Sequence, residues 1–63
     1  MNRIKELRKR YNMSQSDLAL ILNVTQRTLS RYERGIREPS IKKLTILADY
    51  FDVTIDYLVG RND

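Results

Sequence analysis

Sixty-three residues are enough for one small domain, which at this size buries only about 60% of the surface its unfolded chain exposes. With no cysteine and no histidine there is no disulfide framework, no thiolate metal site and no imidazole ligand. The net charge of +4 is unevenly spread: residues 1–43 hold eleven Lys/Arg against four acids (+7), and residues 44–63 hold one against four (−3).

The basic portion is the electrostatic footprint expected of a polyanion partner, although charge alone does not separate DNA from RNA or an acidic membrane. No apolar run approaches the length of a membrane span, and no signal-like apolar segment opens the chain, so a cytoplasmic, reducing setting is the default expectation. No strand pattern, internal repeat or low-complexity segment is visible. The chain reads as all-α.

The first helix is predicted over residues 3–11, with Ile4, Leu7 and Tyr11 at i, i+3 and i+7 facing inward. Arg3, Lys5, Lys9 and Arg10 fall on the wet side. A solvated basic face, phosphate contact and attraction to a membrane surface all fit them. Membrane binding is the weakest of the three, because so small a core needs the apolar stripe for itself. Arg8 lies beside that stripe and can turn toward the interior.

Residues 14–35, SQSDLALILNVTQRTLSRYERG, read as two short helices around a tight corner. Ser14 is a good N-cap, and Asp17 three residues on completes a capping box, with Met13 and Leu18 at hydrophobic-staple spacing. Thr25 starts the next helix, flanked by Val24 and Leu29 at the same spacing. Leu18, Ala19 and Leu22 form one inward stripe, and Leu29 and Tyr32 another. Leu20 is expected to be exposed and Ile21 partly covered by another helix. Asn23 tolerates the left-handed geometry the corner needs, and Ala19 lets the helices approach there. Gln26, Arg27, Thr28, Ser30, Arg31 and Arg34 remain on the outer face, polar and without a carboxylate. Such a face suits the major groove of DNA.

Gly35 is placed to end that helix in a left-handed conformation, and 36–39 is an extended loop in which Pro39 disfavours helical geometry at Glu38. Ser40 caps a fourth helix running to about residue 51, with Ile41, Leu44, Leu47, Ala48 and Phe51 on its buried face. Thr54 caps a short fifth helix, with Val53 and Leu58 as its staple. Ile55 and Val59 flank Leu58, and Gly60 stops the helix. Residues 61–63 read as a frayed tail or the start of a linker.

With this second and third pair, the five short helices strongly resemble the lambda-repressor-like, Cro/XRE-type helix-turn-helix family. The matching stretches are MSQSDLALILNVTQRTLSRYERG, then REPS, then LADYFDVTIDYLVG, which together cover nearly the whole chain. The resemblance implies a single five-helix domain over residues 1–63 that binds double-stranded DNA as a transcriptional regulator, most often a repressor. It also implies a bacterial or phage origin, association with the nucleoid and no cofactor. Gln26, Arg27 and Arg31 fall where members reach base edges, and Thr25, Thr28 and Arg34 where backbone contacts are usual. Gln15 resembles the family glutamine that bonds a phosphate and braces the reading helix, and Arg37 lies in the loop that follows the DNA backbone. Arg8 and Glu33 match a family ion pair. Asn23 and Asp52 depart from the glycines common at their positions, though both tolerate left-handed geometry.

The side-chain chemistry agrees with these roles. Arg can pair with guanine O6 and N7, and Gln with adenine N6 and N7, each good pair discriminating by about 1–3 kcal/mol. One reading helix spans few base pairs, so a two-fold dimer on a palindromic operator is expected. The resemblance points to Ile55 and Tyr57 as its contact. A monomer in solution that pairs only on DNA, or through a further domain, remains the alternative.

An enzyme is disfavoured: Asp49, Asp52 and Asp56 form the one local acid cluster, and no glycine-rich phosphate loop exists. The competing reading is a protein-interaction module, such as an antitoxin or anti-repressor partner on the same fold. Its support is the surplus apolar residues Leu20, Ile46, Tyr50 and Tyr57.

Overall fold

Short helices rarely hold themselves together in water, so each needs signals at its ends and a partner to pack on. The computed structural model describes residues 2–60 as α1 (Ile4–Arg10), α2 (Gln15–Leu22), α3 (Gln26–Glu33), α4 (Ile41–Phe51) and α5 (Ile55–Val59). The tail expected at 61–63 lies outside the described residues.

Four of the five helices start the same way. The hydroxyls of Ser14, Thr25, Ser40 and Thr54 accept the backbone N–H three residues on, that of Asp17, Thr28, Lys43 and Tyr57. Each cap is worth about 1 kcal/mol. At Ser14 the box is reciprocal, since Asp17 Oδ2 accepts from Ser14 N–H at 2.9 Å. That bond and the hydroxyl's hold the Asp17 carboxyl below its ordinary value of 3.8.

The first four helices also stop alike. Asn12, Asn23, Gly35 and Asp52 adopt positive φ of 57°, 57°, 74° and 56°. In each case the residue's own N–H and that of its successor turn back to the last helical carbonyls, the double closure of a Schellman motif. The left-handed positions expected at Asn23, Gly35 and Asp52 are therefore occupied as such. Asn12 was not foreseen, because its neighbours resembled a plain helix end.

Between these ends the apolar stripes meet. Leu18, Leu22, Leu29, Leu47 and Leu58 are fully buried, joined by Ile4, Leu7, Ala19, Tyr32, Leu44 and Phe51. Burying each large aliphatic side chain contributes roughly 1.5–3 kcal/mol. Helix α2 packs on α3 and α4, α1 on α3, and α4 on α5. Lys43 adds a polar tie, its Nζ donating to the Leu22 carbonyl at the end of α2 at 2.6 Å. The start of the chain is stitched down as well. Arg3 N–H donates to the Leu58 carbonyl, and Asn2 donates to the Tyr32 carbonyl while accepting from Ile4 N–H.

Three expectations are corrected. Ile41 is 72% exposed rather than buried: it is the first residue of α4, a turn ahead of Leu44, where the core cluster begins. Tyr11, at the end of α1, does not turn fully inward. Its ring lies edge-on to Phe51 at 5.0 Å and its hydroxyl donates to the Phe51 carbonyl, leaving nearly half the residue in solvent. Arg3 is not a free solvated cation; it donates to the Tyr57 carbonyl and lies 4.2 Å from the centroid of the Tyr57 ring. Leu20 is exposed as expected, and Ile21 lies at the margin of exposure. Among the described residues no helix is long and apolar enough to cross a membrane.

Candidate nucleic-acid interface

Helix α3 buries Leu29 and Tyr32 and turns the rest of its surface outward. Gln26, Arg27 and Arg34 are exposed; Thr28, Ser30 and Arg31 are half-buried. Gln26, Arg27, Ser30, Arg31 and Arg34 line an open depression of about 500 Å³, and Gln15 closes one side from α2. Three guanidiniums and two amides face this hollow, with no carboxylate on its wall. Among the described residues, Arg27, Arg31, Arg34 and Arg37 have no acidic partner. Their charge is left to act outward.

The chain Arg8–Glu33–Gln15–Gln26 braces this face from beneath. Arg8 Nε donates to Glu33 Oε2 at 2.5 Å, with the two side chains 9% and 2% exposed. Arg8 Nη1 also donates to the Met13 carbonyl at 2.8 Å, so the guanidinium joins α1, the α1–α2 turn and the end of α3. The other carboxylate oxygen of Glu33 accepts from Gln15 Nε2 at 3.0 Å. Gln15 Oε1 in turn accepts from Gln26 Nε2 at 3.3 Å, and Ser16 Oγ donates to Gln26 Oε1 at 3.0 Å. No buried side-chain nitrogen or oxygen among the described residues lacks a partner. These bonds join the first turns of α2 and α3, so the partially positive ends of both helices lie beside the basic hollow.

The other residues singled out from the sequence lie at the rim or apart. Thr25 caps α3 and donates from its hydroxyl to Thr28 Oγ1. Arg37 is exposed in the loop after α3, its N–H turned back to the Arg31 carbonyl. Ile55 and Tyr57 lie elsewhere, half-buried on α5 against the core, with Arg3 stacked on the Tyr57 ring. Sequence reasoning missed Ser16 and Lys43. A serine inside the first helical turn and a lysine in an amphipathic helix give no signal until tertiary packing supplies Gln26 and the Leu22 carbonyl. Among the described residues no three acids, histidines or cysteines converge as metal ligands.

Known proteins share this arrangement. Residues 4–58 match the family model described as Helix-turn-helix. The chain is 44% identical over 61 residues to the HTH-type transcriptional regulator AnsR of Bacillus subtilis, covering 97% of this chain and 53% of AnsR. It is 34% identical to Antitoxin PezA of Streptococcus pneumoniae over 94% of this chain and 37% of PezA. The crystal structure of a transcriptional regulator from Listeria innocua superposes with a TM-score of 0.88 at 38% identity, covering 95% of this chain and 56% of the other. The chain thus spans about half the length of the regulators it matches. With five helices in this order, a braced second and third pair and a match over residues 4–58, the chain belongs to the Cro/XRE-type helix-turn-helix family, a family of DNA-binding regulators rather than enzymes.

Proposed function

We propose that this chain is a sequence-specific regulator, most simply a repressor, that lays α3 in the major groove of duplex DNA. Gln26, Arg27 and Arg31 read base edges; Gln15, Thr25, Thr28, Arg34 and Arg37 fix the register through phosphates. It works in the cytoplasm, where a two-fold pair contacting through Ile55 and Tyr57 sets half-sites about one helical turn apart. The observation that carries this reading is the outer face of α3: unpaired guanidiniums and oriented amides on a helix that a buried ion pair holds in place.

Selection of bound sites from a pool of random duplexes tests it, combined with affinity as a function of salt. A common palindromic site and a steep fall of affinity with salt are expected. Failure to enrich any site would sink the reading. Sedimentation with and without the selected duplex reads the dimer directly.

A second reading has specific support: Leu20 is 83% exposed, and an antitoxin is among the relatives. In it, the same fold binds a protein. Ile46 and Tyr57, part of the apolar surplus, are half-buried against the core, which leaves Leu20 and Tyr50 to carry it. Tight capture of a protein partner, with neither salt-steep duplex binding nor site preference, would favour this module.

A further inference from the structure

A backbone carbonyl has two lone pairs and can serve two donors at once. Helices α3 and α5 both close on a glycine: Gly35 N–H donates to the Tyr32 carbonyl and Gly60 N–H to the Tyr57 carbonyl, each at 3.1 Å. Each carbonyl takes a further hydrogen bond from the start of the chain. Asn2 Nδ2 donates to the Tyr32 carbonyl at 2.8 Å, and Arg3 Nη1 to the Tyr57 carbonyl at 2.5 Å. Arg3 N–H adds a bond to the Leu58 carbonyl at 2.8 Å, and its guanidinium lies 4.2 Å from the centroid of the Tyr57 ring. Two neighbouring residues thus hold the last turns of two helices that otherwise have different packing partners, α3 on α1 and α2, α5 on α4.

We propose that Asn2 and Arg3 form a link that sets how α3 lies relative to α5, making them positioning residues for half-site spacing; the inference rests on the reading of α3 as the base-reading helix and of Ile55 and Tyr57 as the two-fold contact. In such a pair the two-fold axis runs by α5, while each half-site is read by α3. The separation and relative turn of the two reading helices therefore follow from the angle between α3 and α5 within one chain. Symmetry doubles any error in that angle. Helix α5, at five residues, is too short to hold its own direction in water. Arg3 acts on it twice: a cation beside its C-terminal carbonyls complements the helix dipole, and the guanidinium stacks on the ring of Tyr57, a residue of the two-fold contact. Asn2 carries the link on to α3 with a neutral bond. Separately, Asn2 Oδ1 accepts from Ile4 N–H at 3.0 Å at the start of α1, so its two roles can be parted by substitution.

The test starts from the site selected by the wild-type chain. In further duplexes the same two half-sites are moved apart or together by one and two base pairs, each of which turns one half-site by roughly 35° about the duplex axis. These compete for the wild-type chain, Asn2→Asp, Arg3→Ala and Arg3→Lys. The wild-type chain is expected to favour one spacing. Asn2→Asp keeps the acceptor for Ile4 N–H and loses the donor to α3. It should lower the advantage of that spacing about two- to twelve-fold, the weight of one neutral hydrogen bond. Arg3→Ala should lower it as well, and Arg3→Lys, which keeps a cationic donor, should recover part of the loss. Because the two residues act in series, Arg3→Ala should be silent in the Asn2→Asp background. Preference among bases within a half-site should not change in any variant. A ratio between duplexes on one protein does not move with the fraction folded, so a merely structural role would leave the spacing advantage where it was. An unchanged advantage in Asn2→Asp, an undiminished effect of Arg3→Ala in that background, or a wild-type chain indifferent to spacing each overturns the link while leaving a site-specific regulator standing. A wild-type chain that enriches no common site removes both.

Discussion

Replacing Glu33 with alanine strands the Arg8 guanidinium, 9% exposed, with the Met13 carbonyl as its remaining hydrogen-bond partner. It also releases Gln15 from its acceptor. Breaking a buried pair by removing one member costs about 3–5 kcal/mol, because the surviving charge can neither reach water nor find a counter-ion. A chain of this length has roughly 3–9 kcal/mol of total stability, so Glu33→Ala should remove about a third of it or more. At about 4–8 °C per kcal/mol for so small a domain, the melting temperature should fall by roughly 12–40 °C. Urea or thermal unfolding followed by far-ultraviolet circular dichroism measures this, with Arg8→Met, Glu33→Leu and the double variant alongside. The double variant removes both charges and should be more stable than either single one, since the cost lies in the orphaned charge rather than in the lost attraction. A loss below about 1 kcal/mol for Glu33→Ala would mean that the pair behaves as an exposed one. A double variant as unstable as the sum of the singles would refute the burial reasoning outright.

On duplex DNA, Arg31→Ala should relax preference at one base position with little effect on random DNA, whereas Arg37→Ala should weaken all duplexes alike and lower the salt slope by about 0.9. An unchanged slope would take Arg37 off the phosphate backbone. Asn23→Ala, at φ 57°, should cost about 1–2 kcal/mol, while Asn23→Gly should stay within about 1 kcal/mol of wild type; equal losses in chemical denaturation would show that something other than backbone geometry governs the corner. The Asp17 carboxyl lies below 3.8 in the folded chain because the Ser14 backbone N–H and then its hydroxyl bond the charged form. Its contribution is therefore full above the ordinary aspartate range and is lost as pH falls through the lower, folded value. Asp17→Asn should flatten the acid limb of stability against pH, and identical limbs for the two proteins would remove Asp17 from the acid response.

How much of this was legible beforehand depends on how local the physics is. Caps at Ser14, Thr25, Ser40 and Thr54 and stops at Asn23, Gly35 and Asp52 depend on two or three neighbouring residues, and the sequence discloses them. Periodicity found the stripe of α4 but not where the core ended along it, which is why Ile41 was misjudged. Pairings between distant residues were visible where a family pattern supplied them, as at Arg8 and Glu33. The ties of Arg3 to Tyr57, Lys43 to Leu22 and Ser16 to Gln26 were not visible, because each joins a commonplace surface residue to a group that only packing brings near. The candidate reading residues lie between these extremes: amphipathicity located their face, but only the network beneath it revealed that Gln26 is bonded to Gln15 and Ser16.

Because four helix starts and the first four helix ends are set at their own junctions, the side chains of Arg27 and Arg31 take no part in the caps or the buried ion pair that hold the scaffold. They are free to diverge, and target preference can be re-engineered there without renegotiating how the chain folds. Gln26 is tethered to its neighbours and lacks that freedom. A swap at that site must be redesigned together with Gln15 and Ser16, its two hydrogen-bond partners.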